Sequence, residues 1–319
     1  MRKTLKVIGY TLGALALLLS LSAAYIQMRG IPTYPVQAPK LHIVSDSIRV
    51  AEGKRLVGMT CAQCHRSGDG TLSGRAFPGE AALGQSYFAS NITQHPEAGI
   101  GHYTDGELAY LLRTGIKRTG AFAPPWMPRF NHLSDDDMAA IIAYLRSGDE
   151  AVQPSPVVQP AFEPSFLTKA LTNLVIKPLP YSAQPIATPS ATDQVALGRY
   201  LVVGRYECYS CHSASFQSVD LLEPEKTPGY LGGGNPVSNW EGHTVHSANL
   251  TPDRETGLGT WTDTQFIEAL RFGKHPAGRT LRQPMMPYAA MSDAEAVAIW
   301  AYLQAVPAVN HAVDRSLQH

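Results

Sequence analysis

The sequence predicts an all-α protein: two similar helical units in tandem behind one apolar N-terminal helix. Three observations lead there. Apolar residues recur at helical spacing in both halves, and no strand alternation of note interrupts them. A five-residue motif occurs twice, each time followed by the same features. An unbroken apolar run begins at Val7.

That run continues to Ile26, about 20 residues, long enough to span a bilayer as a helix. Arg2, Lys3 and Lys6 precede it and place the N-terminus on the cytoplasmic side. Segment 1–30 reads as an uncleaved anchor. A cleaved signal, with Ser22-Ala23-Ala24 as its small-residue site, is the competing reading. Ile31 to Pro35 follows as an extended spacer, because each Pro pushes its predecessor out of the helical region.

The first unit is expected over residues 41–148 and the second over 191–307. Between them, 149–190 is rich in Pro and reads as a semi-rigid linker, with one short amphipathic helix from Phe166 to Val175. A short polar tail, 308–319, closes the chain.

Each unit reads as three helices. The first leads into the repeated motif. The second starts at a capping box, Thr104 with Glu107 or Thr262 with Gln265. The third starts at Ser134 with Asp137 three residues on, or at Ser292 with Glu295. Its apolar stripe is Met138, Ile141, Ile142 and Leu145, answered by Ala296, Ile299, Trp300 and Leu303. Asn91-Ile92-Thr93 is matched by Asn249-Leu250-Thr251, and Leu112-Arg113-Thr114-Gly115 by Leu270-Arg271-Phe272-Gly273. The offset between repeats grows from 147 at the first Cys (208 − 61) to 158 at the Asn (249 − 91). The second unit thus carries eleven extra residues (158 − 147), assigned to the loop-like stretch from Thr227 to Gly242.

The repeated motif is Cys61-Ala62-Gln63-Cys64-His65, then Cys208-Tyr209-Ser210-Cys211-His212. C-x-x-C-H is the attachment signature of a c-type haem. Two thiols at this spacing reach the two vinyl groups of one porphyrin, and the adjacent His faces the iron. A four-Cys zinc site would bring its pairs within about 15–20 residues of each other; here they are much further apart. The two motifs use all four Cys of the chain, so no thiol is left for a disulfide or a nucleophile. Two haem c groups are therefore expected, on Cys61, Cys64, Cys208 and Cys211. Covalent haem attachment takes place outside the cytoplasm, so the haem units are expected in the periplasm with the anchor in the inner membrane.

His65 and His212 supply one axial bond each. For the other face, Met127 and Met286 are the candidates, each followed by Pro in a stiff loop between the second and third helices. Thioether sulfur is a soft ligand that favours Fe(II) and raises the potential. Met285 is the rival to Met286. Asn91 and Asn249 are assigned to haem propionates or to the local turn. Trp261 and Tyr103 sit where a ring N–H or O–H could reach a propionate, and Arg113 and Arg271 are possible charge partners.

Lys and Arg total 26 and Asp and Glu total 26, so the formal net charge is zero, and no basic excess argues for nucleic acid.

These residues resemble the cytochrome c subunits of membrane-bound alcohol, gluconate and aldehyde dehydrogenases. The likeness lies in C-x-x-C-H, the Asn249-Leu250-Thr251-Pro252-Asp253 segment, Thr256-Gly257-Leu258-Gly259, Trp261-Thr262-Asp263, the L-R-x-G helix and the Met-Pro loop. In the first unit Gln94-His95 replaces Pro-Asp and Tyr103 replaces Trp. Many such subunits carry three haems; this chain has two motifs. The resemblance implies two class I cytochrome c domains, with Gly53 and Gly198 letting the first helix cross the third closely against Tyr144 and Tyr302. It implies a dihaem cytochrome that takes electrons from a dehydrogenase and passes them to quinone, a soluble cytochrome or an oxidase of the respiratory chain. It is expected to be an electron-transfer subunit with no catalytic residues. The alternatives are a dihaem peroxidase and a thiosulfate-oxidising dihaem enzyme, each of which needs one iron open to substrate.

Overall fold

The computed structural model describes residues 2–77, 79, 81–182 and 184–314 of the 319-residue chain. Helices dominate. α1 (Arg2–Arg29) is long and apolar enough to cross a bilayer, and its side chains are almost all exposed. α2 (Ser47–Thr60) begins where the Asp46 side chain accepts from Arg49 N. It runs directly into α3 (Ala62–His65), the end of the first C-x-x-C-H. α4 (Asp105–Thr114) has the expected Thr104/Glu107 capping box and stops at Gly115 in the left-handed region. α5 (Asp135–Leu145) is capped by Ser134.

After the linker helix α6 (Phe166–Leu174) the pattern recurs. α7 (Gln194–Tyr200) leads through a π-type turn, Leu201–Arg205, to α8 (Cys208–Cys211). α9 (Asp263–Phe272) and α10 (Asp293–Ala305) both start at the capping boxes the sequence signalled. Two short antiparallel ladders, invisible in the sequence pattern, accompany the helices. β1 (Gly84–Gln85) pairs with β2 (Glu163–Pro164), and β3 (Pro236–Ser238) with β4 (Thr244–His246).

Both halves are built on one close helix crossing. α2 packs on α5, and α7 on α10. A Cβ on Gly53 would collide with the Ala140 carbonyl and with Cβ of Tyr144; on Gly198 it would collide with the Ala298 carbonyl and Cβ of Tyr302. Only glycine lets the backbones approach so closely. From that glycine to the first Cys is 8 residues in one half (61 − 53) and 10 in the other (208 − 198). The π-type turn and a left-handed Glu207 (φ 48°) absorb the two additional residues.

The halves are not beads on a spacer. One apolar cluster runs through both, from Leu56 and Ile142 to Leu201, Leu258 and Leu303. The segment expected as a Pro-rich linker is strapped over the first unit instead. Pro164 pairs with Gly84, Gln159 donates to the Ser73 and Gly74 carbonyls, and Ile186 N donates to Asp135. The tail is also bound: Val309 N donates to Thr251 and its carbonyl accepts from Asn249. Residues 315–319 of that tail lie outside the described residues.

Candidate haem sites

The His of each C-x-x-C-H contacts the backbone just before the Asn turn of its own unit. In the first, His65 Nδ1 lies 2.7 Å from the Ser90 carbonyl; in the second, His212 Nδ1 lies 2.8 Å from the Ala248 carbonyl. A carbonyl can only accept, so it fixes the proton on Nδ1. The lone pair available to a metal is then on Nε2 in both rings. The neighbouring backbone repeats bond for bond: Gly74 N to the His65 carbonyl and Gly233 N to the His212 carbonyl.

The thiols lie deep among protein atoms. Burial pushes Cys61 up to about 11, Cys208 to about 12 and Cys211 to about 11. Yet Cys61, Cys208 and Cys211 are only partly covered and Cys64 is exposed. Burial likewise lowers the pKa of His65 against the pull of the Ser90 carbonyl, which favours the neutral ring that binds metal.

These residues fit haem c. All four Cys are free of disulfides, and the described residues hold no cluster of three or more His, Cys, Asp or Glu that would suit zinc. Partly buried apolar side chains pack on the core in both units: Ile92, Tyr103 and Met127 in the first, Leu250, Trp261, Met285 and Tyr288 in the second. Beside Cys64, the buried Nε of Arg75 has no partner in the protein, as suits an anionic edge of a bound group. Its guanidinium lies 4.2 Å from the ring centre of Trp240, on the second unit. Sequence reasoning missed Arg75, because no pattern marks a residue whose partner lies 165 positions away (240 − 75).

The methionines need a correction of register. Met127 N donates to the Pro124 carbonyl and Met285 N to the Arg282 carbonyl, both at 3.1 Å. On either side, Ala123 N bonds the Gly115 carbonyl as Leu281 N bonds that of Gly273, and Phe130 N bonds Leu112 as Tyr288 N bonds Leu270. Every one of these pairs is 158 apart. The structural counterpart of Met127 is therefore Met285. Met286 takes the place of the exposed Pro128 and is itself 37% exposed. Aligning the two loops on their Met-Pro pairs misled the sequence reading, because Pro287 stands where the first unit has Arg129. That Arg is buried and wraps its own loop, donating to the carbonyls of Met127, Ala123 (2.7 Å) and Pro124 (3.0 Å).

Of the other assignments, Asn91 and Asn249 hold the local turn. Each is buried. Asn91 Oδ1 accepts from Thr93 N and Oγ1, and its amide donates to the Ser155 and Val157 carbonyls. Asn249 does the same with Thr251, Thr256 and Val309. Arg113 is also committed: it pairs with Asp135 at 2.6 Å, and Arg271 pairs with Asp293. Both hold the start of the next helix. Trp261 is half-buried, with its ring edge-on to that of His275.

The fold and the motif define the class. Residues 50–149 match the cytochrome c family model, and a cytochrome c domain implies haem c. The chain is a homologue of the cytochrome c subunits of alcohol, fructose and gluconate dehydrogenases. It is 28% identical over 246 residues to the "Alcohol dehydrogenase (quinone), cytochrome c subunit" of Gluconacetobacter polyoxogenes, covering 72% of this chain and 49% of that one. It is 30% identical over 312 residues to the "Fructose dehydrogenase cytochrome subunit" of Gluconobacter japonicus, covering 93% and 60%. A "Diheme cytochrome c-type" protein of Cereibacter sphaeroides is 27% identical over 263 residues, covering 78% and 82%. The chain spans about half the length of the alcohol dehydrogenase relative it matches.

Proposed function

We propose that this chain is a dihaem electron carrier. One haem c would be held by Cys61, Cys64 and His65, and the other by Cys208, Cys211 and His212, with Met127 and Met285 as the residues that would supply the second iron ligand. When bound, haem c supplies a one-electron Fe(III)/Fe(II) couple. The protein's part is to exclude water, orient the imidazoles through Ser90 and Ala248, and hold thioether sulfur at a fixed place. The observation that carries the reading is the recurrence of the same hydrogen bonds around both motifs. If Met127 and Met285 take the second position at each iron, neither iron would be open to peroxide or thiosulfur substrates, which would disfavour the peroxidase and thiosulfate-oxidising readings.

α1 is read as the anchor, with both haem units in the periplasm. The donor is a dehydrogenase subunit, by analogy with the relatives' names. The acceptor is quinone, a soluble cytochrome or an oxidase. Contacts with soluble partners would be small, as electron-transfer encounters are.

The test is purification in mild detergent. Two covalent haems per chain by mass, two reversible waves in a redox titration, and a co-purifying dehydrogenase are expected. One haem per chain, or peroxide turnover with a reduced donor, overturns the reading.

A further inference from the structure

α6 is folded inside out for a helix in water. Thr168 and Thr172 are its buried residues. Thr168 Oγ1 donates to the Leu83 carbonyl (2.5 Å) and Thr172 Oγ1 to the Thr168 carbonyl (2.8 Å). Phe166, Leu167, Ala170, Leu171 and Leu174 form one continuous stripe at helical spacing, on the opposite side. Phe166, Leu167 and Leu174 are 48%, 46% and 68% exposed, and Val175 just beyond is 70% exposed. A polar face turned to the protein and an apolar face turned outward is the arrangement expected where the outside is not water.

Its position says what that outside is. α6 packs against the end of α1, where Ala23 and Ile26 are the only partly covered residues of that helix. Polar side chains finish the junction: Arg29 Nη1 to Asn173 Oδ1 at 2.9 Å, Asn173 Nδ2 to the Gly30 carbonyl at 2.8 Å, and Lys169 Nζ to Gln27 Oε1 at 3.1 Å. Ala23 to Gly30 spans about 10 Å at the helical rise. α6 therefore lies at the level where the apolar run of α1 ends. Arg29, Lys169 and Lys177 sit around it and suit anionic headgroups.

We propose that α6 is an interfacial helix, its apolar stripe sunk into the boundary between headgroups and acyl chains of the bilayer that α1 crosses. It rests on the reading of α1 as a membrane anchor. Helices of this kind settle about 5–10 Å into that boundary. α6 is bolted to the first unit through β1–β2, and Ser165 donates to the Ala82 carbonyl at 2.8 Å. Its insertion fixes the tilt of the first haem cleft against the membrane, which a lone anchor with a spacer leaves free.

The experiment uses the full chain in vesicles of phosphatidylethanolamine and phosphatidylglycerol. The photo-reactive p-benzoylphenylalanine is introduced singly at Phe166, Leu174, Leu15 on α1 and Asp136, an exposed residue of α5. After illumination, mass spectrometry reads adducts. A gain of one phospholipid at Phe166, Leu174 and Leu15, and none at Asp136, is the expected result. Lipid at Leu15 with none at Phe166 or Leu174 overturns the proposal and leaves the anchor standing. Adducts from positions 166 and 174 to protein, a second copy or another subunit, also overturn it. No lipid at Leu15 refutes the anchor reading and the proposal with it.

Discussion

Arg205 grips Asp137 with two parallel hydrogen bonds, Nε to Oδ2 at 2.6 Å and Nη2 to Oδ1 at 2.8 Å. One residue lies on the approach to the second C-x-x-C-H and the other in the first turn of α5, so the pair ties the two halves together. Both are buried. Arg205 Nη1 also donates to Glu295, which accepts from Arg55 Nη1 at 2.6 Å and Nη2 at 2.8 Å. Tyr200 OH completes the group, donating to Asp137.

Breaking the buried pair should be costly. Arg205→Ala leaves Asp137 without its guanidinium in a dry interface, a loss of about 3–5 kcal/mol. Replacing both by Leu should cost much less. Urea midpoints of the two variants measure the difference; equal losses would show that the pair is not desolvated.

Acid should loosen the same interface. Burial is the largest influence on Glu295 and opposes its ionisation, but the hydrogen bonds from Arg55 and Ser292 N and the charges of Arg55 and Arg205 together outweigh it and hold the carboxyl below its ordinary value of 4.5. The folded value is depressed, so the stabilisation is complete above pH 4.5 and is lost as pH falls through the folded value. Tm should drop below pH 4.5 in the native chain and drop less steeply in Glu295→Gln. Parallel curves would refute this.

The methionine register makes a sharp contrast. Met127→Ala and Met285→Ala should each lower one haem potential and leave the other wave in place, whereas Met286→Ala should leave both waves near their native positions. A redox titration in which Met286→Ala, and not Met285→Ala, shifts one wave would reverse the assignment.

The two crossing glycines should not tolerate a methyl group. Gly53→Ala and Gly198→Ala each drive a Cβ into a carbonyl of the facing helix, where overpacking costs about 1–3 kcal/mol or more. Gly58 has nothing within 4 Å of a built Cβ. Gly58→Ala should therefore stabilise α2 by about 0.5–1 kcal/mol. Thermal denaturation of the three variants gives the order.

Arg129 shows how unlike the two equivalent loops are. Its burial lowers its pKa to about 10, yet it stays charged at neutral pH and binds the carbonyls around Met127. Arg129→Ala should loosen the Met127 turn, broadening the redox wave of the first haem. The second wave should be unchanged, because Pro287 holds the equivalent place. A native-like first wave would show that the turn stands without Arg129.

By itself the sequence determined what depends on neighbours in the chain. The C-x-x-C-H spacing, the capping boxes at Thr104, Thr262 and Ser292, the glycine stops and the apolar stripes are all settled within one or two helical turns. The family resemblance also marked Gly53 and Gly198, one ahead of each motif. Only the tertiary structure decided where competing side chains spend their hydrogen bonds. Asp137 stands three residues after Ser134, yet Arg205 and Tyr200 draw its carboxylate across the interface. Asn91 and Arg113 have donors that a propionate could use, but carbonyls and an Asp from distant segments take them. Met127 matches Met285 because turns bond by position along the backbone, and a repeated Met-Pro pair need not obey that count. The outward apolar face of α6 was likewise undecided until α1 came to lie beside it. Periodicity reports that a helix has two faces, and only packing decides which of them meets protein.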